Sequence, residues 1–207
     1  MKFSYSNDKL EVGVDEAGRG CLFGRVYSAA VIWNPELIEC FDGIQDKINQ
    51  IRDSKKISKR KRKELKEFIE KYAIDYQVSY IENDEIDKIN ILNSAIKSMH
   101  KALDKLNVIP ELILVDGNRF KPYYYDNKEI EHKCIIKGDD NYISIAAASI
   151  LAKEYRDEYI ENLCKENEDL MKYNLLNNMG YGTQGHRDAI KEYGITKYHR
   201  KTFKGCY

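Results

Sequence analysis

Asp15 and Glu16 stand side by side at the end of an apolar run, Val12-Gly13-Val14, and Gly18-Arg19-Gly20 follows at once. Two adjacent carboxylates can hold a divalent cation, whereas glycines flanking an arginine let backbone N–H groups approach a phosphate closely. A site that serves a metal and a phosphate together points to phosphoryl-transfer chemistry. Two further acidic sites share the placement: Asp116 follows Leu112-Ile113-Leu114-Val115, and Asp139-Asp140 follow a run beginning near Cys134. If these runs are strands of one sheet, the acids converge although they lie far apart in the chain. Carboxylates packed together repel one another unless cations lie among them. Oxygen ligands without His or Cys select hard ions, Mg²⁺ or Mn²⁺, over zinc.

Each site also has a plainer reading. Asp-Gly is a common turn pair, and Asp139-Asp140 could simply start a helix. Successive strand residues point to opposite faces, so Asp15 and Glu16 share a site only if a bulge or turn redirects one of them. The metal reading gains its weight from the set of sites.

The elements that must position these residues follow from pattern. Leu10 to Val14 and Val26 to Trp33 read as β-runs joined by a Gly-containing turn, a hairpin. A helix runs from a polar start at Ser58 to about Tyr72, and residues 73–81 alternate as a third strand. Ile86, Ile89, Leu92, Ile96, Met99 and Leu103 recur at helical spacing, predicting one long amphipathic helix from Asn83 to about Leu106. Beyond Pro110, residues 112–115 look like a strand buried on both faces. Cys134-Ile135-Ile136 reads as another strand, and the small residues of 145–153 favour a helix that packs very close to its neighbour. Gly180-Tyr181-Gly182-Thr183 is a turn, with a short helix over 186–193. The pattern is a single α/β domain over residues 1–207, with its core to about 167 and a helical C-terminal extension over about 168–207.

Composition narrows the function classes. The 207 residues are 43% hydrophobic and 33% charged, ordinary for one soluble domain. No apolar run reaches membrane-spanning length and no signal peptide leads the chain, so the expected location is cytoplasmic, with no membrane partner. Five scattered cysteines without a C-x-x-C pair suggest neither zinc nor a disulfide framework. Net charge is zero and by itself predicts no nucleic-acid binding. Residues 52–63 nevertheless hold eight basic side chains and one acid. That run reads either as a phosphate-binding patch or as a solvated helix face.

Read together, the motifs resemble the bacterial-type ribonuclease HII family. The similarity is carried by Gly13 through Gly20, Asp53-Ser54-Lys55-Lys56-Ile57-Ser58, Val115-Asp116-Gly117-Asn118, Lys137-Gly138-Asp139, Ile145 through Lys153, Arg156-Asp157, Gly180 through Thr183 and His199-Arg200. They follow the family's order across nearly the whole chain. The resemblance implies a ribonuclease H-like fold, a five-stranded mixed sheet flanked by helices. It implies a metal-dependent endonuclease that cuts RNA in RNA–DNA hybrids and 5′ of ribonucleotides embedded in duplex DNA, leaving a 3′-hydroxyl and a 5′-phosphate.

By the same resemblance, Asp15, Glu16, Asp116 and Asp139 are the catalytic metal ligands for one or two Mg²⁺ or Mn²⁺ ions, and Asp140 is excluded by register. Gly18, Arg19 and Gly20 read the 2′-hydroxyl and adjoining phosphates, Tyr181 packs on the following sugar, and Lys55 and Lys56 contact backbone phosphates. The 2′-hydroxyl is the group that separates RNA from DNA at one site. Cys21 through Arg25, Met179 and Glu154-Tyr155 depart from the family pattern, none of them at an implied ligand. His100 reads as structural, and Asp157 as the partner of a nearby base. His186 and His199-Arg200 suit nucleic-acid contact and packing equally. Two rivals remain: a ribonuclease HIII-like enzyme preferring long RNA, and a silent hybrid-binding protein. The chain reads as a monomer; a sliding clamp stays open as a partner, although Lys201 through Tyr207 carries no clear motif for one.

Overall fold

Strand β2 (Val26–Ile32) is buried along its whole length, which requires a layer of structure on each face. Ala29 and Val31 pack on one side, Ala30 and Ile32 on the other, as the two-residue period of a strand dictates. The computed structural model describes residues 1–6, 8–34, 44–52, 54 and 57–207. Lys55 and Lys56 lie outside the described residues.

The strands β1 (Glu11–Ala17), β2, β3 (Asp75–Ile81), β4 (Leu112–Asp116), β5 (Tyr123–Tyr125) and β6 (Lys128–Ile135) form one sheet in the order β3-β2-β1-β4-β6-β5. β1, β4 and β6 run parallel, while β2, β3 and β5 join antiparallel. The sheet is therefore mixed, as expected, with six strands rather than five. The additional strand is the short edge β5, folded onto β6 by Asp126 and Asn127, both at positive φ. Such a two-residue left-handed turn matches the twist of the flanking strands.

Between the strands lie α1 (Ile44–Ile48), α2 (Lys59–Tyr72), α3 (Asn83–Ile89) and α4 (Ile91–Leu103), and after β6 come the one-turn α5 (Gly138–Asn141) and the long α6 (Ile143–Glu166). Ser58 caps α2 by accepting from the Lys61 N–H. The single helix expected from Asn83 to Leu106 is two helices. Asn90 has φ 64°, and its side chain accepts from the Asn93 N–H, ending one helix and capping the next. α4 covers one face of the sheet through Met99, Ala102 and Leu103; α2 and α6 cover the other. The C-terminal extension comprises a 3₁₀ turn (Glu168–Tyr173), α7 (Leu175–Asn178) and α8 (Gln184–Tyr193). Its Leu170, Tyr173, Leu175 and Ile190 share a core with Leu22, Phe23 and Ile160.

β1 and the start of α6 approach each other very closely at Gly13. A Cβ built on Gly13 would sit 2.2 Å from the Ser144 carbonyl carbon, so only glycine permits this contact. Small side chains on the helix, Ala146, Ala147 and Ala148, keep the approach tight along the next turn. Gly13→Ala is therefore expected to lower stability by about 3 kcal/mol, the upper range for overpacking, because the obstacle is backbone. The urea midpoint would measure this, and an unchanged midpoint would refute the contact.

Candidate active site

Parallel pairing of β1 with β4 sets Val14 opposite Val115, so Asp15 and Asp116 emerge side by side at the carboxyl ends of neighbouring strands. β6, the next parallel strand, leads through Lys137 at φ 56° into α5, which carries Asp139. One carboxylate oxygen from each of Asp15, Asp116 and Asp139 lies within 4.8 Å of the others. Asp15 and Asp139 are buried and Asp116 is half-buried, whereas Asp140 is exposed. The Gly138 N–H donates to Asp116 Oδ1 at 2.7 Å, so the Lys-Gly turn that delivers Asp139 also orients Asp116.

Asp15 accepts from the Glu16 N–H at 2.7 Å and is hydrogen-bonded by Ser149 of α6. Even so, burial raises its pKa well above the usual carboxylate value, and the Glu16 and Asp116 charges add to the rise. A buried oxygen-only donor set whose members repel fits a hard divalent cation, which removes the repulsion by sitting among them. The three aspartates therefore suit the ion that the sequence implied.

Glu16 departs from the expected four-acid cluster. It follows Asp15 on a regular strand and so turns to the other face of the sheet. There it pairs with Arg19 at 3.0 Å. With Arg19, Met99, Asp116, Asn118 and Arg119 it lines a small cavity of about 180 Å³. Asp116, at the strand end, borders both sides.

The 18–20 loop leaves β1 directly. Gly18 has φ 95°, a left-handed conformation that turns the chain over the end of the sheet. Tyr181 stands across from it, 39% exposed, and is bridged to Cys21. Lys153 and Arg156 lie over its ring at 5.5 and 5.6 Å. Burial and the neighbouring Cys21 push its phenol above the ordinary value. Cys21 and Met179, both departures from the family pattern, thus belong to the packing of this turn, with the Cys21 thiol 3.8 Å from the Met179 carbonyl.

Beneath both lies a buried charge cluster. Asp157 pairs with Arg62 at 3.1 Å, Lys153 at 2.8 Å and Arg156 at 3.5 Å, and Glu154 pairs with Arg62. Asp157 thus pairs with bases, as expected. The 52–63 basic run is less of a phosphate patch than its composition suggests. Arg62 is buried, Lys59 pairs with Glu161, and Arg60 and Lys61 share Glu64. His100 is held by ring contacts to Phe120 and Tyr123. His186 and His199 are fully buried with their Nε2 atoms 3.2 Å apart, and burial lowers His199 to about 4. Sequence reasoning left Arg200 undecided; it is fully buried and cannot meet nucleic acid directly.

The raised pKa of Asp15 has a thermodynamic sign. The folded state holds this proton more tightly than the unfolded chain, so stability falls as pH rises from the ordinary carboxylate value toward the raised one. Asp15→Asn removes that penalty. In chelator at pH 7 the variant is expected to melt above wild type, with the gap closing near pH 3. Thermal midpoints against pH check this, and coincident curves would sink the assignment.

A family model described as Ribonuclease HII matches residues 12–206. The ribonuclease HII of Christiangramia forsetii is 52% identical over 202 residues, which are 97% of this chain and 94% of the relative. The crystal structure of ribonuclease H2 from Pyrococcus horikoshii OT3 superposes with a TM-score of 0.74 at 26% identity, covering 95% of this chain and 94% of that one. A chain from the structure of the PCNA:RNase HII complex of Archaeoglobus fulgidus gives 0.68 at 25% identity, with 94% and 95% covered. The chain belongs to the ribonuclease HII family.

Proposed function

We propose that this protein is a divalent-metal-dependent endonuclease that cuts RNA in RNA–DNA hybrids and 5′ of ribonucleotides embedded in duplex DNA, leaving a 3′-hydroxyl and a 5′-phosphate. The observation that carries this reading is the convergence of Asp15, Asp116 and Asp139 at the strand ends from which the 18–20 loop departs. Those three aspartates, with Glu16 approaching from the far side of β1, would hold the metal. A bound Mg²⁺ or Mn²⁺ supplies Lewis acidity, drawing charge off the phosphodiester and easing deprotonation of the attacking water.

The chain itself binds and sorts. Backbone N–H groups of Gly18 and Gly20, with the Arg19 guanidinium, engage the phosphates beside the ribonucleotide. Tyr181 offers a ring to the next sugar and a hydroxyl to the 2′-hydroxyl. That hydroxyl stays protonated at neutral pH, since its pKa is raised, and so remains a donor. Lys55 and Lys56 belong to the same reading as phosphate contacts. No side-chain nucleophile is required.

Family membership disfavours the ribonuclease HIII reading, and the intact aspartate cluster disfavours a silent binding protein. We read residues 1–207 as one cooperative unit, because the extension shares its core with Leu22 and Phe23, and we read the protein as a cytoplasmic monomer. Among the described residues no helix is long and apolar enough to cross a membrane. Phe203 and Cys206 pack into the extension's core, while Lys201, Thr202, Lys204 and Tyr207 stay exposed and leave room for a sliding clamp as a partner.

Asp116→Asn is expected to abolish cleavage of a duplex carrying one ribonucleotide while binding of that duplex survives. Near-normal turnover, read by cleavage-site mapping with Mg²⁺ and Mn²⁺ compared, would overturn the ligand assignment. Tyr181→Ala is expected to slow cleavage at a single ribonucleotide more than in a long hybrid. Equal losses in a side-by-side assay would remove Tyr181 from sugar recognition.

A further inference from the structure

Residues 18–25 join β1 to β2 without regular structure, yet their main chain is held from two sides. On one side the Leu22 N–H donates to the Gly180 carbonyl at 2.8 Å, beside the bridge between Cys21 and Tyr181. On the other, the Gly24 N–H donates to the Tyr198 carbonyl at 2.9 Å, and the Arg200 N–H to the Leu22 carbonyl at 2.8 Å. The Arg200 side chain completes the attachment. Its Nε donates to the Gly24 carbonyl at 2.9 Å, Nη1 to Arg19 at 3.0 Å and Nη2 to Arg25 at 3.0 Å.

All three acceptors are main-chain oxygens of this one loop, and the guanidinium is 0% exposed. Burial lowers its pKa only to about 10, so it remains a cation at neutral pH. A planar fork with donors on three nitrogens can span three carbonyls at once, which the single nitrogen of a lysine cannot. A buried cation without a carboxylate at its hydrogen-bonding face is costly, and general stability would be served better by an apolar side chain of similar volume. What the arginine adds is a fixed position for the Arg19 carbonyl, in the middle of the 18–20 loop.

We infer that Arg200 is a positioning residue for ribonucleotide recognition: it fixes the 18–20 backbone at a set distance from Tyr181. The inference rests on the proposed reading of those two elements as the ones that check the sugar. Arg200 does not touch substrate; it acts through the Arg19 carbonyl. The C-terminal segment is in this way a working part of the substrate site.

Arg200→Lys keeps the charge and removes the fork. On a duplex with one embedded ribonucleotide, kcat is expected to fall about 100-fold, the scale of a 1 Å misplacement, with KM changed only a few-fold. A long hybrid should lose much less, because every nucleotide of its RNA strand offers a 2′-hydroxyl to a displaced loop. Mn²⁺ binding, titrated calorimetrically without nucleic acid, should match wild type.

Wild-type kcat in the variant, equal losses on both substrates, or weakened Mn²⁺ binding would each overturn the inference. Failure of the wild-type enzyme to cut beside the ribonucleotide would instead overturn the underlying reading, and the inference with it. Should the lysine variant not fold, Asn83→Ala serves in its place. The Asn83 side chain donates to the Lys197 carbonyl at 2.9 Å and the His199 carbonyl at 3.3 Å, so its loss loosens the segment while leaving the guanidinium intact. The same preferential loss on the single ribonucleotide is expected, and an unchanged substrate preference would overturn the inference.

Discussion

The contact between β1 and α6 is the constraint from which the site follows. Gly13 lets the backbone of Ser144 come against the strand, at a distance no side chain would allow. That approach fixes the helix relative to Asp15, two residues further along the strand. The helix then supplies what the site needs in successive turns. Ser149 hydrogen-bonds Asp15, Lys153 and Arg156 flank the Tyr181 ring, and Asp157 ties the bases together. Residues 143–152 are buried on every side, so this supply line has little freedom to shift.

Electrostatics divides the site into two unlike parts. At the strand ends, Asp15, Asp116 and Asp139 crowd within 4.8 Å, and Asp15 bears the consequence in a raised pKa. A few residues away, Arg62, Lys153 and Arg156 gather around Glu154 and Asp157. Among the described residues, Arg156 Nε and Nη2 lack a hydrogen-bond partner. A divalent cation would relieve the crowding of the aspartates. The cationic cluster adds positive potential beside the Tyr181 ring, the face where the proposed reading lays a nucleic-acid backbone.

Legibility in the sequence followed how local each cause was. Residues 112–115 announced β4 because four consecutive apolar residues have few alternatives, and the alanine run announced close packing. Of the β5–β6 hairpin only the end of β6, at Cys134-Ile135, was legible, because most of its residues are exposed and carry no alternation, although Asp126-Asn127 was a usable turn signal. The break at Asn90 was hidden because helical spacing continues across it, from Ile86 and Ile89 to Leu92 and Ile96. The three aspartates were legible as a set. The strand period turns Glu16 to the other face of β1, yet its charge still bears on Asp15. The ion pairs of Arg62 with Glu154 and Asp157 span 92 and 95 residues, and nothing local marks them.

This difference in locality has a functional counterpart. The aspartates sit on or beside strands, and hydrogen-bonded registers hold them: Asp15 opposite Ala29, Asp116 opposite Ile135. Asp139 alone is delivered by a turn, Lys137-Gly138, whose Gly138 N–H also holds Asp116. The 18–20 loop and Tyr181 have no ladder of that kind. Their spacing is set by single hydrogen bonds from two distant segments, around residues 180 and 198–200. Loops are ordinarily the variable part of a fold, and a sub-ångström task placed on one needs tertiary ties to replace the missing ladder. The buried guanidinium of Arg200 and the carbonyl contacts beside it are such ties. In the proposed reading, strand registers therefore hold two of the three metal ligands, whereas recognising one ribose among deoxyriboses depends on the C-terminal segment being folded around the loop.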